Sequence, residues 1–327
     1  MVIHVMTSSS HHVLLVMGEF FIKGFDSMKQ VRIMGVPFAH TDRASFVKLL
    51  NEHIELQKKT FVVTANPEIV MKANEDLSYM RLLYEATYIT ADGIGIVKAA
   101  QLLGDPLPER VTGYDTMIDL LKLADQRRYS SYLLGAKEET LTLAIENIQK
   151  SYPNVRIVGS HHGYFDWENN QIANEIKALK PDMTFVALGM PRQEKWIAEH
   201  IDQFDRGVFM GVGGSFDVIA GTVKRAPDIW QKFHLEWLYR LLKQPSRFMR
   251  MMALPRFAIK ILIQKLTGKD PSAKIVARLE QESMRDRLAL ETKSDSEHHR
   301  HAQDQVQSKT EASLQDESPM KKGDSPR

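Results

Sequence analysis

The sequence contains no cysteine, so disulfides, a thiolate nucleophile and a cysteine-ligated zinc site are all excluded. This composition fits a reducing cytoplasm. No Asp-x-Asp pair occurs anywhere in the chain either, and such carboxylates commonly hold Mg²⁺ against phosphate groups. Any diphosphate bound here would therefore need protein cations, and we expect neither a metal nor a cofactor.

Long apolar runs are also missing. The longest, Val13–Phe21 and Phe257–Ile263, fall well short of the roughly 18–20 residues that cross a bilayer. The first lacks a basic n-region and a small-residue cleavage site, so it is not interpreted as a signal peptide. Met28 leads directly into a strand-like run, and we expect residues 1–27 to be an N-terminal extension that is not part of the fold.

The C-terminal tail, residues 270–327, has no Phe, Trp or Tyr and is rich in polar and charged residues. Such a composition buries too little apolar surface to offset the entropy of ordering. The tail is predicted to be mostly disordered, with a transient charged helix over Ala273–Glu291.

Between these ends, short apolar runs alternate with longer amphipathic stretches. The predicted strands are Val31–Val36, Thr60–Ala65, Tyr88–Ala91, Ser131–Gly135, Val155–Ser160, Met183–Leu188 and Gly207–Val212. The predicted helices are Arg43–Gln57, Pro67–Glu85, Gly93–Leu103, Asp115–Arg127, Glu138–Ser151, Glu168–Leu179 and Gln193–His200. This alternation predicts an α/β fold with a mainly parallel, Rossmann-like sheet flanked by helices, whose ligands bind beyond the carboxyl ends of the strands.

Distinctive residues follow these strands. In Thr64-Ala-Asn-Pro-Glu, Asn66 fits a helix cap, and Thr64 and Asn66 equally fit hydrogen-bond partners of a sugar or phosphate. Asp92, before two glycines, fits either a helix cap or a general base. Arg110 lies in a loop, where it is either solvated or paired with a diphosphate. Gln193 and Glu194 open a helix as capping residues or as contacts to substrate hydroxyls.

Two further motifs carry weaker signals. The glycine turn Gly211–Gly214 does not fit the G-x-G-x-x-G fingerprint, and the basic stretch after it offers no acidic ribose contact, which argues against NAD binding. His161 and His162 have no third ligand at metal spacing, so loop histidines are favoured over a metal site.

A basic, aromatic segment follows the α/β region. Residues 223–269 carry eleven Lys and Arg against two acidic residues, a net charge of +9, whereas the whole chain carries +2. Trp230, Phe233 and Trp237 share one helical face with Leu238 and Leu241. Such a segment favours an anionic membrane surface or a diphosphate as partner; a core or dimer helix with a solvated basic face is the alternative.

Six motifs, in order and between about Met28 and Gly268, together resemble the WecG/TagA/CpsF glycosyltransferases: TANPEIVMKA, ADGIGIV, LPERVTGYD, GMPRQEKW, GVGGSFDVIAGTVKRAP and EWLYRLLKQPSR. The resemblance implies a catalytic domain over residues 28–222 and a membrane and active-site appendage over residues 223–269. It is strongest to the TagA branch. That branch implies an inverting, metal-independent transfer of N-acetylmannosamine from UDP-ManNAc to GlcNAc-diphospho-undecaprenol, forming the ManNAc-β-1,4-GlcNAc linkage unit of wall teichoic acid.

The resemblance also implies roles for individual residues. Asp92 would be the general base, with Thr64 and Asn66 positioning substrate. The other implied substrate-binding residues are Arg110, Tyr164, Gln193, Arg240, Arg247 and Arg250. We expect a cytoplasmic enzyme, peripheral on the inner face of the plasma membrane, able to self-associate and not binding nucleic acid.

Three alternatives remain at this point. A related transferase would use another donor, such as UDP-N-acetylmannosaminuronic acid, in enterobacterial common antigen or capsule and exopolysaccharide synthesis. A Rossmann oxidoreductase is disfavoured by the broken glycine fingerprint. A non-enzymatic membrane adaptor would not need Asp92, Thr64 and the spaced arginines.

Overall fold

The computed structural model describes residues 28–168, 170–233, 236–243 and 248–285. The chain divides into two compact units, Met1–Ala273 and Lys274–Arg327. In the second unit the described residues, 274–285, are helical. The predictions for residues 1–27 and for the tail beyond residue 285 lie outside the described residues.

The chain begins with a β-hairpin where one strand was predicted. Strands β1 (Gln30–Ile33) and β2 (Val36–Ala39) pair antiparallel. Met34 and Gly35 turn the chain between them with φ of 47° and 80°. The prediction of one strand over Val31–Val36 was wrong because Met-Gly lacks the Asn-Gly or Asp-Gly signature of such two-residue turns.

A six-stranded parallel sheet, in the order β4-β3-β8-β7-β5-β6, forms the centre of the first unit. Its strands are β3 (Lys59–Ala65), β4 (Tyr88–Ala91), β5 (Ser130–Gly135), β6 (Arg156–His161), β7 (Met183–Ala187) and β8 (Gly207–Gly211). The predicted α/β fold with a mainly parallel sheet is confirmed. The chain leaves β3 toward the β4 edge, whereas β5 connects toward the β6 edge, so the sheet is doubly wound.

Helices follow the strands. They are α1 (Arg43–Glu55), α2 (Pro67–Glu75), α3 (Leu77–Glu85), α4 (Ile94–Leu103), α5 (Gly113–Arg127), α6 (Glu138–Ser151), α7 (Ile172–Leu179), α8 (Arg192–His200) and α9 (Ser215–Ile219). The helix predicted over Pro67–Glu85 is two helices, because the side chain of Asp76 accepts a hydrogen bond from the Tyr79 N–H and starts α3.

Apolar side chains cover both faces of the sheet. Helices α1, α5, α6 and α9 share one core cluster with the strands, including Val62, Phe185 and Met210. Because side chains alternate along a strand, Phe209 points to the opposite face. There it stacks on Phe204 at 4.6 Å, beside the fully buried Trp196 of α8.

Between α9 and Gly268, the described residues form four more helices: α10 (Asp228–Lys232), α11 (Glu236–Lys243), α12 (Phe248–Met251) and α13 (Ala253–Thr267). Helix α13 packs against α2 and α4. Across the described ranges, no helix combines the length and apolarity needed to cross a membrane.

Candidate active site

The predicted site residues at the ends of β3 and β4 lie side by side. Ala65 pairs with Ala91, so the two strands end together. Strand β8 lies on the other side of β3, and the Thr64 hydroxyl donates to the Gly211 carbonyl oxygen at 3.3 Å. The crevice beyond these three strands is where a doubly wound sheet binds its ligand.

Asp92 lies immediately after β4, between the N-terminal ends of two helices. Its Oδ2 accepts a hydrogen bond from the backbone N–H of Gly113, the first residue of α5, at 3.2 Å. Gly93 precedes α4 with φ of 150°, a conformation that favours glycine. Helix N-termini stabilise negative charge, and a carboxylate in such a position is the kind of group that acts as a general base.

Thr64 and Asn66 flank the end of β3. Thr64 is buried, at 9% exposure, and Gly113 packs against it so closely that a Cβ there would lie 2.8 Å from the Thr64 hydroxyl. Asn66 caps α2, its Oδ1 accepting from the Ile69 N–H at 3.0 Å. Within the described residues its Nδ2 group makes no hydrogen bond, which leaves a donor at the crevice.

Gln193, in the first turn of α8, holds the glycine turn from the other side. It is 5% exposed, and its Oε1 accepts from the Gly213 N–H at 3.0 Å. A Cβ at Gly211 would lie 2.7 Å from the Gln193 Nε2, so the backbone passes directly over this side chain. The structure places Gln193 as a support of the turn between β8 and α9, and its predicted contact with substrate remains a prediction.

Arg110 lies in a loop that runs beside β4. The next residue, Val111, donates its N–H to the Ala91 carbonyl at 3.0 Å, so the loop is fixed next to Asp92. The Arg110 guanidinium forms a 3.5 Å ion pair with Glu236 of α11 and is largely shielded from solvent. Arg110 therefore lies near the candidate base, Asp92, and its guanidinium is paired with the Glu236 carboxylate.

The three predicted C-terminal arginines are only partly placed. Arg240 belongs to α11 and Arg250 to α12, but their side chains lie outside what the structure describes. Arg247 lies outside the described residues. The roles assigned to all three remain predictions.

Tyr164 lies in a loop that turns back over the carboxyl end of β5, because the preceding Gly163 donates its N–H to the Ala136 carbonyl at 2.8 Å. It follows β6, at the opposite edge of the sheet from β4, and is 68% exposed. Its assigned role in substrate binding remains a prediction. The Tyr164 N–H donates to the Nδ1 of His162 at 3.1 Å, so the pair of histidines contributes to this loop. In the described ranges, no three His, Asp or Glu side chains are grouped so that they could hold a metal ion.

One part of the arrangement was not predicted from the sequence. Arg225, just after α9, contacts Asp115 in the first turn of α5 with both Nη atoms, at 2.9 and 3.1 Å, and its guanidinium stacks on the ring of Tyr114. Burial pushes the pKa of Asp115 upward, but hydrogen bonds from Arg225 and Thr112 outweigh it, so the pKa lies below its usual value. This ion pair ties the segment after α9 to the helix that binds Asp92. In the sequence, Arg225 is one cation in a basic run, with nothing to single it out.

A doubly wound α/β domain, with a carboxylate held at helix N-termini beyond its central strands, defines a Rossmann-like ligand-binding class of protein. Residues 31–271 match the model of the glycosyl transferase WecG/TagA/CpsF family. The chain belongs to this family and is a glycosyltransferase.

Two curated relatives carry the same name, N-acetylglucosaminyldiphosphoundecaprenol N-acetyl-beta-D-mannosaminyltransferase. The one from Staphylococcus aureus (strain MW2) is 42% identical over 234 residues, which cover 71% of this chain and 92% of the relative. The one from Bacillus spizizenii (strain ATCC 23059 / NRRL B-14472 / W23) is 38% identical over 245 residues, covering 75% and 95%.

Proposed function

We propose that this enzyme transfers N-acetylmannosamine from UDP-ManNAc to GlcNAc-diphospho-undecaprenol, with inversion and without a metal, as in wall teichoic acid linkage-unit synthesis. The observation that carries the proposal is the Asp92 carboxylate, bound to the Gly113 N–H beyond β4. The names of the two relatives support this acceptor and this sugar.

The reaction needs one base and one leaving group. Asp92 takes the proton from the attacking hydroxyl of the acceptor GlcNAc, and that oxygen forms a bond to C1 of the donor sugar. The bond from C1 to the diphosphate breaks in the same displacement, and UDP leaves with the electron pair. A single displacement inverts C1.

The leaving UDP gains negative charge, which arginines are suited to neutralise. Arg110 is the described candidate, since its loop is fixed beside Asp92. A diphosphate at this position would compete with Glu236 for the guanidinium. Arg240, Arg247 and Arg250 are proposed to add further positive charge around the diphosphate.

The test measures UDP release from UDP-ManNAc with a lipid-diphospho-GlcNAc analogue, with EDTA present. The wild type should turn over, and Asp92→Asn should lower kcat by about 10²–10⁴-fold, the usual contribution of a general base. Asp105→Asn is the control, because Asp105 is half-buried at the surface, where its ion pair among the described residues is with Lys29.

A different experimental result would contradict each part of the proposal. Equal rates for the wild type and Asp92→Asn would show that Asp92 is not the base. Turnover with UDP-N-acetylmannosaminuronic acid alone would overturn the proposed donor. Activity that disappears in EDTA and returns with Mg²⁺ would overturn metal independence.

A lipid-linked acceptor requires the enzyme at a membrane, and α13 offers a surface for this. Phe257 and Ile261 are buried on the side that packs against α2 and α4. Lys260 and Lys265 lie on the same helix. A row of exposed apolar side chains, spaced i, i+3, i+4 and i+7, forms a second face: Ile259, Leu262, Ile263 and Leu266. Apolar side chains flanked by lysines are typical of helices that lie in an anionic membrane interface.

Vesicle flotation of the full-length protein tests this surface. We expect binding to vesicles containing phosphatidylglycerol, weaker binding to pure phosphatidylcholine, and loss of binding for the double variant Leu262→Glu/Leu266→Glu. Leu56→Glu is the matched control, since Leu56 is 65% exposed at the end of α1. Undiminished binding by the double variant would exclude α13 as the attachment surface.

A further inference from the structure

A second carboxyl group lies close to the site but has a different environment from Asp92. Glu194, in the first turn of α8, is 1% exposed. Its Oε1 accepts a hydrogen bond from the Gln193 Nε2 at 2.7 Å. In the part of the chain that the structure describes, its Oε2 makes no hydrogen bond of normal geometry, although the Tyr79 hydroxyl of α3 lies beside it.

This environment disfavours a charge on Glu194. Among the described residues no Lys, Arg or His forms an ion pair with it, and an unpaired buried carboxylate is strongly disfavoured. Burial raises the pKa of Glu194 by more than the hydrogen bonds from Gln193 and Tyr79 lower it. The titratable group that faces it from α3 is Tyr79, whose pKa is raised by burial and by Glu194, with smaller effects of Glu68 and Asp76.

The contacts of Glu194 lead to the site through one side chain. Gln193 uses its Nε2 on Glu194 and its Oε1 on the Gly213 N–H, so the orientation of the amide is fixed from both ends. The same amide packs against Gly211, whose carbonyl accepts from Thr64. The end of β8 is thus held between Gln193 on one face of the sheet and Thr64 on the other.

We propose that Glu194 is a positioning residue, kept as the neutral acid, that orients the Gln193 amide and thereby fixes the Gly211–Gly214 turn under the substrate. Its protonated Oε2 faces the Tyr79 hydroxyl, while its Oε1 remains an acceptor for Gln193. Ionisation would leave a buried negative charge without a cation and would loosen this support. This inference rests on the proposed function only for the activity measurement that tests it.

Glu194→Gln tests the proposal, because the amide reproduces the neutral acid: one acceptor toward Gln193 and one donor toward Tyr79. This variant should keep kcat/KM within about twofold of the wild type at pH 6–7. Glu194→Met has similar length but no acceptor, so Gln193 loses its partner and kcat/KM should fall about tenfold or more. The wild type should lose kcat on the alkaline side as Glu194 ionises, and Glu194→Gln should lack that limb.

A second readout needs no substrate. The pKa of Glu194 is higher in the folded than in the unfolded protein, so the folded state binds more protons and the wild-type free energy of unfolding should fall as pH rises between these values. Urea unfolding from pH 5 to 9 should show a weaker decline for Glu194→Gln. The proposal is overturned if Glu194→Gln is as impaired as Glu194→Met, or if its pH dependence in unfolding matches the wild type. A wrong donor assignment would abolish turnover of every variant but leave the unfolding result intact.

Discussion

Gly113 offers the sharpest test of how tightly the site is packed. It begins α5 and donates its N–H to Asp92, while a Cβ at this position would lie 2.8 Å from the Thr64 hydroxyl oxygen. Thr64 is on the central strand β3 and bonds Gly211, so it has little freedom to move away. Gly113→Ala must therefore shift either Thr64 or the start of α5.

Two opposing effects determine the expected change in the free energy of unfolding. Overpacking of this kind destabilises by about 1–3 kcal/mol, and alanine gains up to about 1 kcal/mol over glycine as a helix former. We expect Gly113→Ala to lower the free energy of unfolding by about 1–2 kcal/mol. UDP release should fall by about tenfold or more, because a displaced N–H no longer orients the Asp92 carboxylate.

Urea unfolding followed by tryptophan fluorescence, together with the UDP-release assay, measures both effects. Gly214→Ala is the matched control for stability, since the Cβ contact found there is with Asp217 at an ordinary 3.5 Å. Thr64→Ala removes the clashing oxygen, so the double variant Gly113→Ala/Thr64→Ala should be more stable than the two single effects predict, by about 0.5–3 kcal/mol. If Gly113→Ala is as stable as Gly214→Ala and as active as the wild type, or if the double variant shows no coupling, the steric reasoning is refuted.

Two further predictions concern stability away from the site. Gly135→Ala should lower the free energy of unfolding by about 3 kcal/mol or more, because φ is 129° and the added Cβ would overlap the Ala187 backbone carbonyl; a urea midpoint equal to that of the wild type would contradict this. Asp76→Ala should cost about 1 kcal/mol at pH 7 through loss of the α3 cap. The hydrogen bond from Ser78, followed by Lys72, lowers the pKa of Asp76 to about 2. A lowered pKa stabilises the fold above the unfolded value, so the difference between the wild type and Asp76→Ala should shrink from about pH 4 toward pH 2; a constant difference over that range would contradict the assignment.

The sheet and one edge of the site follow from local patterns in the sequence. Apolar runs that alternate with amphipathic stretches predict parallel strands, and the carboxyl ends of parallel strands share an edge, so Thr64, Asn66 and Asp92 were expected there. Strand order is a long-range property. No spacing in the sequence indicates that β3 lies between β4 and β8, or that β6 forms the far edge of the sheet.

The direction of individual side chains was the second feature that could not be predicted from the sequence. Gln193 and Glu194 occupy a first helical turn, where polar residues are usually caps or surface groups. The tertiary packing of α8 against α3 and the sheet turns both inward. Only the close approach at Gly211 shows why Gln193 is held there, and such an approach depends on residues far apart in the chain.

The two carboxyl groups near the crevice, Asp92 and Glu194, have environments that suit different roles. Asp92 accepts a backbone N–H at a helix N-terminus, an environment that favours the charged form. Glu194 is buried and, among the residues that the structure describes, has no cationic partner, an environment that favours the neutral form. The proposed single displacement needs one base, and a second ionised carboxylate nearby would repel the proposed leaving diphosphate. A neutral Glu194 would therefore give Gln193, which supports the glycine turn, a hydrogen-bond acceptor without adding negative charge where the proposed UDP leaving group is stabilised.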